Sequence, residues 1–207
     1  MTETSNVGQI TEVDRLRELV ETKSYTHLVL DLDATIAHIN LPWDEGYQEL
    51  DMRLSEKDEQ SFYTAIVREN RVFGHVFNEY VDAHRQALPT IVQWARDFEA
   101  ARTGYMPHDE LIATLTDLAA AGIWLGLWTS NVQATARYVL EDVGLISAFS
   151  AMATRDSVAY IKPHPEGWRH LYDGAPLNEY LFVGDSINDQ QAAAAVGIDY
   201  FNVTYFK

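Results

Sequence analysis

Residues 27–35 read HLVLDLDAT: a short apolar run, Leu28-Val29-Leu30, that ends on two aspartates, Asp31 and Asp33, followed by Ala34 and Thr35. A continuous apolar run, as opposed to an alternating one, is the pattern of a parallel strand covered on both faces. Two carboxylates two residues apart, at the point where the chain leaves such a strand, can converge on one cation. A hard cation such as Mg²⁺ takes oxygen ligands and uses one or two carboxylates together with water and phosphate. Read alone, the segment also fits a turn with solvated acids.

Upstream, Val13, Leu16, Leu19 and Val20 fall at helical spacing and predict a lead-in helix over 11–22. Downstream of residue 109 the chain alternates. DELIATLTDLAAA predicts a helix stopped by Gly122, IWLGLW a strand, and NVQATARYVLEDV a helix stopped by Gly144. FSAMA predicts a short strand, and residues 165–173 a helix opened by Pro165. YLFVG follows as a strand, INDQQAAAAV as a helix stopped by Gly197, and DYFNVTY as a last strand. Apolar strands between glycine-stopped helices predict an α/β fold with a doubly wound, mainly parallel sheet.

Residues 42–105 lack this alternation. They read as helices over roughly 55–69, 73–87 and 89–102, with Ser55 and Asp58 as a capping-box-like start and Pro89 in the first turn of the third. The expected organisation is an α/β core made of residues 1–41 and 106–207, interrupted by an all-helical block at 42–105. The aromatics of the block (Phe62, Tyr63, Phe73, Phe77, Tyr80, Trp94 and Phe98) supply it with a small core of its own.

In an open parallel sheet, ligands bind outside the carboxyl ends of the strands. Three further turns carry polar residues of the right kind. Thr129-Ser130-Asn131 follows IWLGLW, where a hydroxyl and backbone N–H groups at a helix start form an anion site or, alternatively, a plain N-cap. Lys162 lies in the segment IKPHP, where a fixed ammonium can neutralise phosphate oxygens; a solvated surface lysine is the other reading. GDSIND follows YLFV and places Asp185 and Asp189 one helical turn apart, as partners in a metal site or as acids favoured by the helix dipole.

Composition narrows the chemistry. The 207 residues are 47% hydrophobic and 22% charged, as expected for a packed globular chain. With no cysteine, disulfides, thiolate metal sites and cysteine nucleophiles are excluded. A net charge of −16 argues against a nucleic-acid partner and would repel a phosphorylated ligand. An anion site must therefore rely on local groups: a metal, a lysine and backbone N–H groups. Only four lysines are available, against eleven arginines. No run approaches the ~20 apolar residues that span a bilayer, and the polar start MTETSNVGQI lacks a signal pattern. A cytoplasmic protein with no membrane partner is expected. A monomer or a homodimer is expected.

Taken in order, DLDAT, LWTSN, IKPHP and GDSIND resemble the four motifs of the haloacid dehalogenase superfamily, DxDx[TV], a strand ending in Thr or Ser, a Lys often followed by Pro, and GDxxxD. The resemblance covers about residues 26–203. It implies a Rossmann-like core, and it implies that the helical block is placed like the cap of the superfamily's C1 group. For function it implies a Mg²⁺-dependent phosphatase that acts on a small phosphorylated metabolite through an aspartyl-phosphate. Asp31 is then the nucleophile. Asp33 is the general acid and base, its pKa raised by neighbouring acids. Thr129, Ser130, Asn131 and Lys162 hold the phosphate. The metal set is Asp31, Asp33 (by its backbone carbonyl) and Asp185, with Asp189 orienting Lys162 or the metal's waters. The 2-haloacid dehalogenases carry tyrosine at the position of Asp33, so the acid favours the phosphatase side. A phosphomutase of the same fold keeps both acids, and a phosphate-binding protein on a non-catalytic copy of the fold is a further alternative. The family usually has glycine where this chain has Ala34, so the local turn is expected to differ. Residues expected to meet the leaving group are His38, Arg53, Arg68, Arg71, His75, His84 and Arg85, each of which singly also reads as a solvated side chain.

Overall fold

The structure is a computed structural model and describes residues 11–54 and 61–206. Strand β1 (His27–Leu30) is the centre of a five-stranded sheet. It pairs in parallel with β4 (Trp124–Trp128) on one side and β6 (Tyr180–Gly184) on the other. Strands β5 (Phe149–Ala153) and β7 (Asp199–Asn202) extend the two edges in parallel, giving the order β5-β4-β1-β6-β7. The continuous apolar run of β1 has its cause in this position. Leu28 and Leu30 are fully buried on one face with Leu125, Leu127, Leu181 and Val183, under Val13, Leu16 and Val20 of helix α1 (Glu12–Lys23). Val29 is fully buried on the other face, with Trp128, Phe182, Leu171 and Ala192. Burying each such side chain stabilises the fold by roughly 1.5–3 kcal/mol.

The chain is thus an α/β protein with a parallel sheet and a helical insertion after its first strand. The expected stops Gly144 and Gly197 take φ of 76° and 79°, the left-handed region that ends a helix. The helix expected over residues 165–173 is a 3₁₀ helix, Pro165–His170, opened by Pro165.

The first helix of the insertion lies earlier than its sequence pattern suggests. Helix α2 spans Trp43–Leu54, opened when the Pro42 carbonyl accepts the Gly46 N–H at 3.0 Å and favoured by Asp44 and Glu45 in the first turn. The expected capping pair Ser55 and Asp58 lies outside the described residues. A π-turn covers Thr64–Arg68, and helices α3 (Phe73–Ala83) and α4 (Leu88–Ala100) complete the block. Its core contains Phe62, Phe77, Tyr80, Trp94 and Phe98, with Tyr63 and Phe73 partly buried against it. That core also takes in Val132 and Ile161 from the α/β part, so the insertion packs on the sheet end. At Gly74 of α3, a Cβ would lie 2.0 Å from the Lys162 carbonyl oxygen. The insertion therefore rests directly on the segment that carries Lys162.

A two-stranded antiparallel ribbon, β2 (Ala37–Ile39) with β3 (Tyr105–Pro107), ties together the points where the insertion leaves and rejoins the core. Three residues per strand, one of them proline, gave no alternation to detect. The remaining helices, α5 (Asp109–Ala120), α6 (Gln133–Asp142) and α7 (Ile187–Val196), belong to the core. Among the described residues no helix is long and apolar enough to cross a membrane.

Candidate active site

Because β4, β1 and β6 are parallel neighbours, their carboxyl ends lie side by side. Asp31 follows the central strand and is anchored when its N–H donates to the Val183 carbonyl at 3.0 Å. Thr129 follows β4, and Asp185 and the first turn of α7 follow β6. Lys162 comes from the loop after β5. The order of the strands brings together four segments that lie far apart between Asp31 and Asp189 in the chain.

Lys162 is buried and points at Asp31. Its Nζ lies 2.6 Å from Asp31 Oδ1 and 2.5 Å from Asp189 Oδ1, and both acids are buried with it. Burial alone would lower the lysine's pKa, but the two carboxylates more than offset that and hold it raised. Asp189 has two tasks. Its other oxygen accepts from the Ser186 N–H at 3.0 Å and from the Ser186 hydroxyl at 2.7 Å, completing the capping box of α7. Asp189 thus holds Lys162 and caps α7 with the same carboxylate. Gly184 makes room for it: a Cβ there would sit 2.7 Å from Asp189 Oδ2.

Asp31, Asp185 and Asp189 each offer a carboxylate oxygen, all within 4.8 Å of one another. Three carboxylates against one ammonium leave the buried cluster with excess negative charge when all are ionised. Burial raises the Asp31 carboxyl well above its usual range, Asp189 adds to the rise, Lys162 opposes it and Asp185 adds further. An all-oxygen set with surplus negative charge fits a hard divalent cation, which would offset that rise. The Asp33 carboxylate stands apart from this group.

Asp33 instead turns toward the ribbon. Its Oδ1 accepts the Ile39 N–H at 2.9 Å and lies 3.6 Å from His38 Nδ1. Its pKa is raised, as a general acid requires, but neighbouring acids are not the reason. Burial is the leading cause, and the Ile39 N–H and His38 partly oppose it. Between the two acids, Ala34 adopts φ of 59°. The turn does not depart from what glycine would supply there; alanine is held in the left-handed region, at a cost of roughly 1–2 kcal/mol. Ala34→Gly removes that strain and adds ~0.5–1 kcal/mol of chain entropy cost. The net expectation is a stabilisation of about 0.5–1 kcal/mol, a rise of about 1–4 °C in the unfolding midpoint. A midpoint equal to or below that of the parent in thermal unfolding would show the turn to be unstrained.

At the end of β4, the Thr129 hydroxyl donates to Asn131 Oδ1 at 2.9 Å and accepts the Asn131 N–H at 3.1 Å, which fixes the turn. Thr129, Ser130 and Asn131 line one cavity of about 250 Å³ together with Asp31, Asp33 and Lys162. The opposite wall comes from the insertion: Trp43, Tyr47, Phe73, Trp94 and Phe98. Of the seven residues expected to meet a leaving group, only His38 lines this cavity. Arg53 is paired with Glu49 and Asp97, Arg71 with Glu79, and His75 with Gln191.

Two charged lining residues escaped the sequence. Glu99 is buried, and both its oxygens accept the Val132 N–H at 3.1 Å; burial raises its pKa to about 7. The signal was present, since Glu99 continues the apolar stripe Ile91, Trp94, Ala95 and Phe98 at helical spacing. Arg155 is also buried, in a short 3₁₀ turn after β5. Nothing in its local sequence marks it.

Residues 28–203 match the family model described as haloacid dehalogenase-like hydrolase. The phosphoglycolate phosphatase of Yersinia pseudotuberculosis is 39% identical over 95 residues, 45% of this chain and 41% of that protein. That of Rhodospirillum rubrum is 36% identical over 96 residues, 45% of this chain and 40% of that protein. The matches thus span well under half the length of these curated relatives. Among solved structures, a hydrolase from Pseudomonas syringae superposes with a TM-score of 0.53 at 23% identity, covering 84% of this chain and 82% of that one. CbbY from Rhodobacter sphaeroides, solved in complex with phosphate, superposes with a TM-score of 0.54 at 17% identity, covering 85% of this chain and 84% of that one. At these identities the likeness concerns the fold.

Proposed function

The chain belongs to the haloacid dehalogenase-like hydrolases, and on that footing we propose that it is a phosphatase of small phosphomonoesters that works through a phosphorylated Asp31 and uses Mg²⁺. One observation carries this: Asp31, at the end of the central strand, is held by a buried lysine inside a three-carboxylate cluster, at a cavity that also receives Asp33. The names of the curated relatives support the phosphatase reading and make phosphoglycolate the first substrate to try.

Asp31, Asp185 and Asp189 would hold the cation, or Asp189 would hold its waters, with the Asp33 backbone carbonyl as a further oxygen donor. Bound there, Mg²⁺ would neutralise phosphate charge. Lys162, fixed between two carboxylates, places an ammonium where phosphate oxygens meet Asp31. Thr129, Ser130 and Asn131 present the polar turn that faces the same oxygens. Asp31 attacks phosphorus, and the bond to the leaving oxygen breaks. Asp33, whose pKa burial raises, gives that oxygen a proton. The resulting Asp33 carboxylate then takes a proton from the water that hydrolyses the acyl phosphate and is thereby reset. The aromatic wall of the insertion excludes bulk water from this exchange.

Purified protein supplied with Mg²⁺ is expected to release inorganic phosphate from p-nitrophenyl phosphate and from phosphoglycolate. Chelation with EDTA should lower the rate by roughly 10²-fold or more, since a Lewis-acid cation supplies several kcal/mol to the transition state. Added MgCl₂ should restore it. Full activity in EDTA would overturn the metal-dependent reading.

A further inference from the structure

Arg155 is 1% exposed, and among the described residues none of its three side-chain nitrogens has a hydrogen-bond partner. Its guanidinium lies 3.8 Å from the centre of the Phe77 ring and 5.6 Å from that of Phe73. Stacking satisfies a face of the cation but leaves its N–H groups without acceptors. A buried, unpaired charge is among the costlier features a fold can retain. The acids whose fields reach it do not pair with it. Glu99 commits both oxygens to the Val132 N–H. Asp156 is held by the Gln133 N–H, the Thr154 hydroxyl and Arg96. A second buried donor, Trp94 Nε1, is also without a partner among the described residues. Arg155 comes from the core and Trp94 from the insertion, and both line the cavity that holds Asp31 and Lys162.

Arginine and tryptophan side chains donate and never accept. The unmet Arg155 and Trp94 groups therefore ask for an acceptor. Lys162 and the turn at Thr129 already face the phosphoryl position, so these donors serve another part of the ligand. Resting on the phosphatase activity proposed above, we further propose that Arg155, assisted by Trp94, is the specificity-determining residue that holds a second anionic group on the leaving side of the substrate. A carboxylate suits it best: its two oxygens match the planar fork of a guanidinium, and the exchange replaces lost hydration with charge-assisted bonds. A cavity of about 250 Å³ suits a phosphorylated acid of a few carbons rather than a nucleotide.

The test compares kcat/KM for 2-phosphoglycolate with that for ethyl phosphate, which lacks the second anion, in the Mg²⁺-loaded protein. The parent should prefer phosphoglycolate. In Arg155→Met the ratio of the two values should fall about a hundredfold, the change lying mainly in KM, because charge-assisted hydrogen bonds are lost. Arg155→Lys, which keeps the charge without the fork, should recover part of the ratio, and Trp94→Phe should lower it by about tenfold. Preference for 1,3-propanediol bisphosphate over phosphoglycolate would identify the second anion as a phosphate, and the reverse preference as a carboxylate. A parent that prefers ethyl phosphate, or equal losses for both substrates in Arg155→Met, would overturn the assignment. Should the parent hydrolyse neither substrate, the phosphatase reading fails separately, and binding decides on Arg155. Phosphonoacetate should then raise the unfolding midpoint more than ethylphosphonate does in the parent but not in Arg155→Met, and an unchanged difference between the two ligands would overturn the role.

Discussion

Asp31→Asn is expected to lower phosphate release by on the order of 10⁴–10⁶-fold, as loss of a nucleophile that acts within a catalytic unit does. The amide keeps the shape of the side chain and can still meet Lys162, but it cannot form the acyl phosphate. No labelled phospho-enzyme should then be trapped in a rapid-quench experiment. The fold should not suffer. Burial raises the Asp31 carboxyl in the native state, so the unfolded chain ionises this group more readily. As pH rises from the unfolded pKa through the folded one, stability conferred by this residue falls, and above the folded pKa the full penalty remains. A neutral amide removes that penalty, so at neutral pH the metal-free variant should unfold at or above the midpoint of the parent. Retained turnover in Asp31→Asn would remove Asp31 from the nucleophile's role. A variant that is inactive because it has unfolded would show itself in the midpoint.

Asp33→Asn tests the other half of the chemistry. It keeps the nucleophile and deletes the proton donor, and general acid–base groups contribute roughly 10²–10⁴-fold. The loss should depend on the leaving group. An aryl phosphate, whose leaving oxygen needs little protonation, should suffer less in the first step than an alkyl phosphate. Water attack on phospho-Asp31 remains slow without the base, so the intermediate should accumulate with the aryl substrate. The pH profile carries the same signature. Burial raises the pKa of Asp33, and the first step needs its protonated form. The rate with an alkyl phosphate should fall as pH rises through that pKa, and this limb should vanish in Asp33→Asn. Equal losses for aryl and alkyl esters, with no trapped intermediate, would reduce Asp33 to a structural or metal-binding role.

Both tests concern residues that are legible in the sequence. Asp31, Asp33, Thr129, Lys162, Asp185 and Asp189 each sit at a turn next to a short apolar run or a helix start, and such runs are local patterns. Parallel pairing then lays three of those strand ends beside one another, so motifs in order along the chain converge in space.

Local pattern stops short where the cause is not local. Helix α2 lacked a recognised cap signal, and the β2–β3 ribbon is too short to alternate. The rise in the Asp33 pKa comes from burial, which sums over everything packed around it, whereas the nearby sequence suggested repulsion between acids. Glu99 was visible only as an acid on an apolar stripe. Arg155 shows the limit best. The chain around it reads as an ordinary polar turn, and its significance comes from the Phe77 ring it stacks on and from the acceptors its three nitrogens lack. Periodicity and residue type are properties of short segments, so the parallel sheet, the helical insertion and the residues at the strand ends follow from the order of the amino acids. Burial and pairing depend on elements that the chain brings together from far apart, so which polar side chains are buried, which of them meet and which are left unpaired follows from the fold.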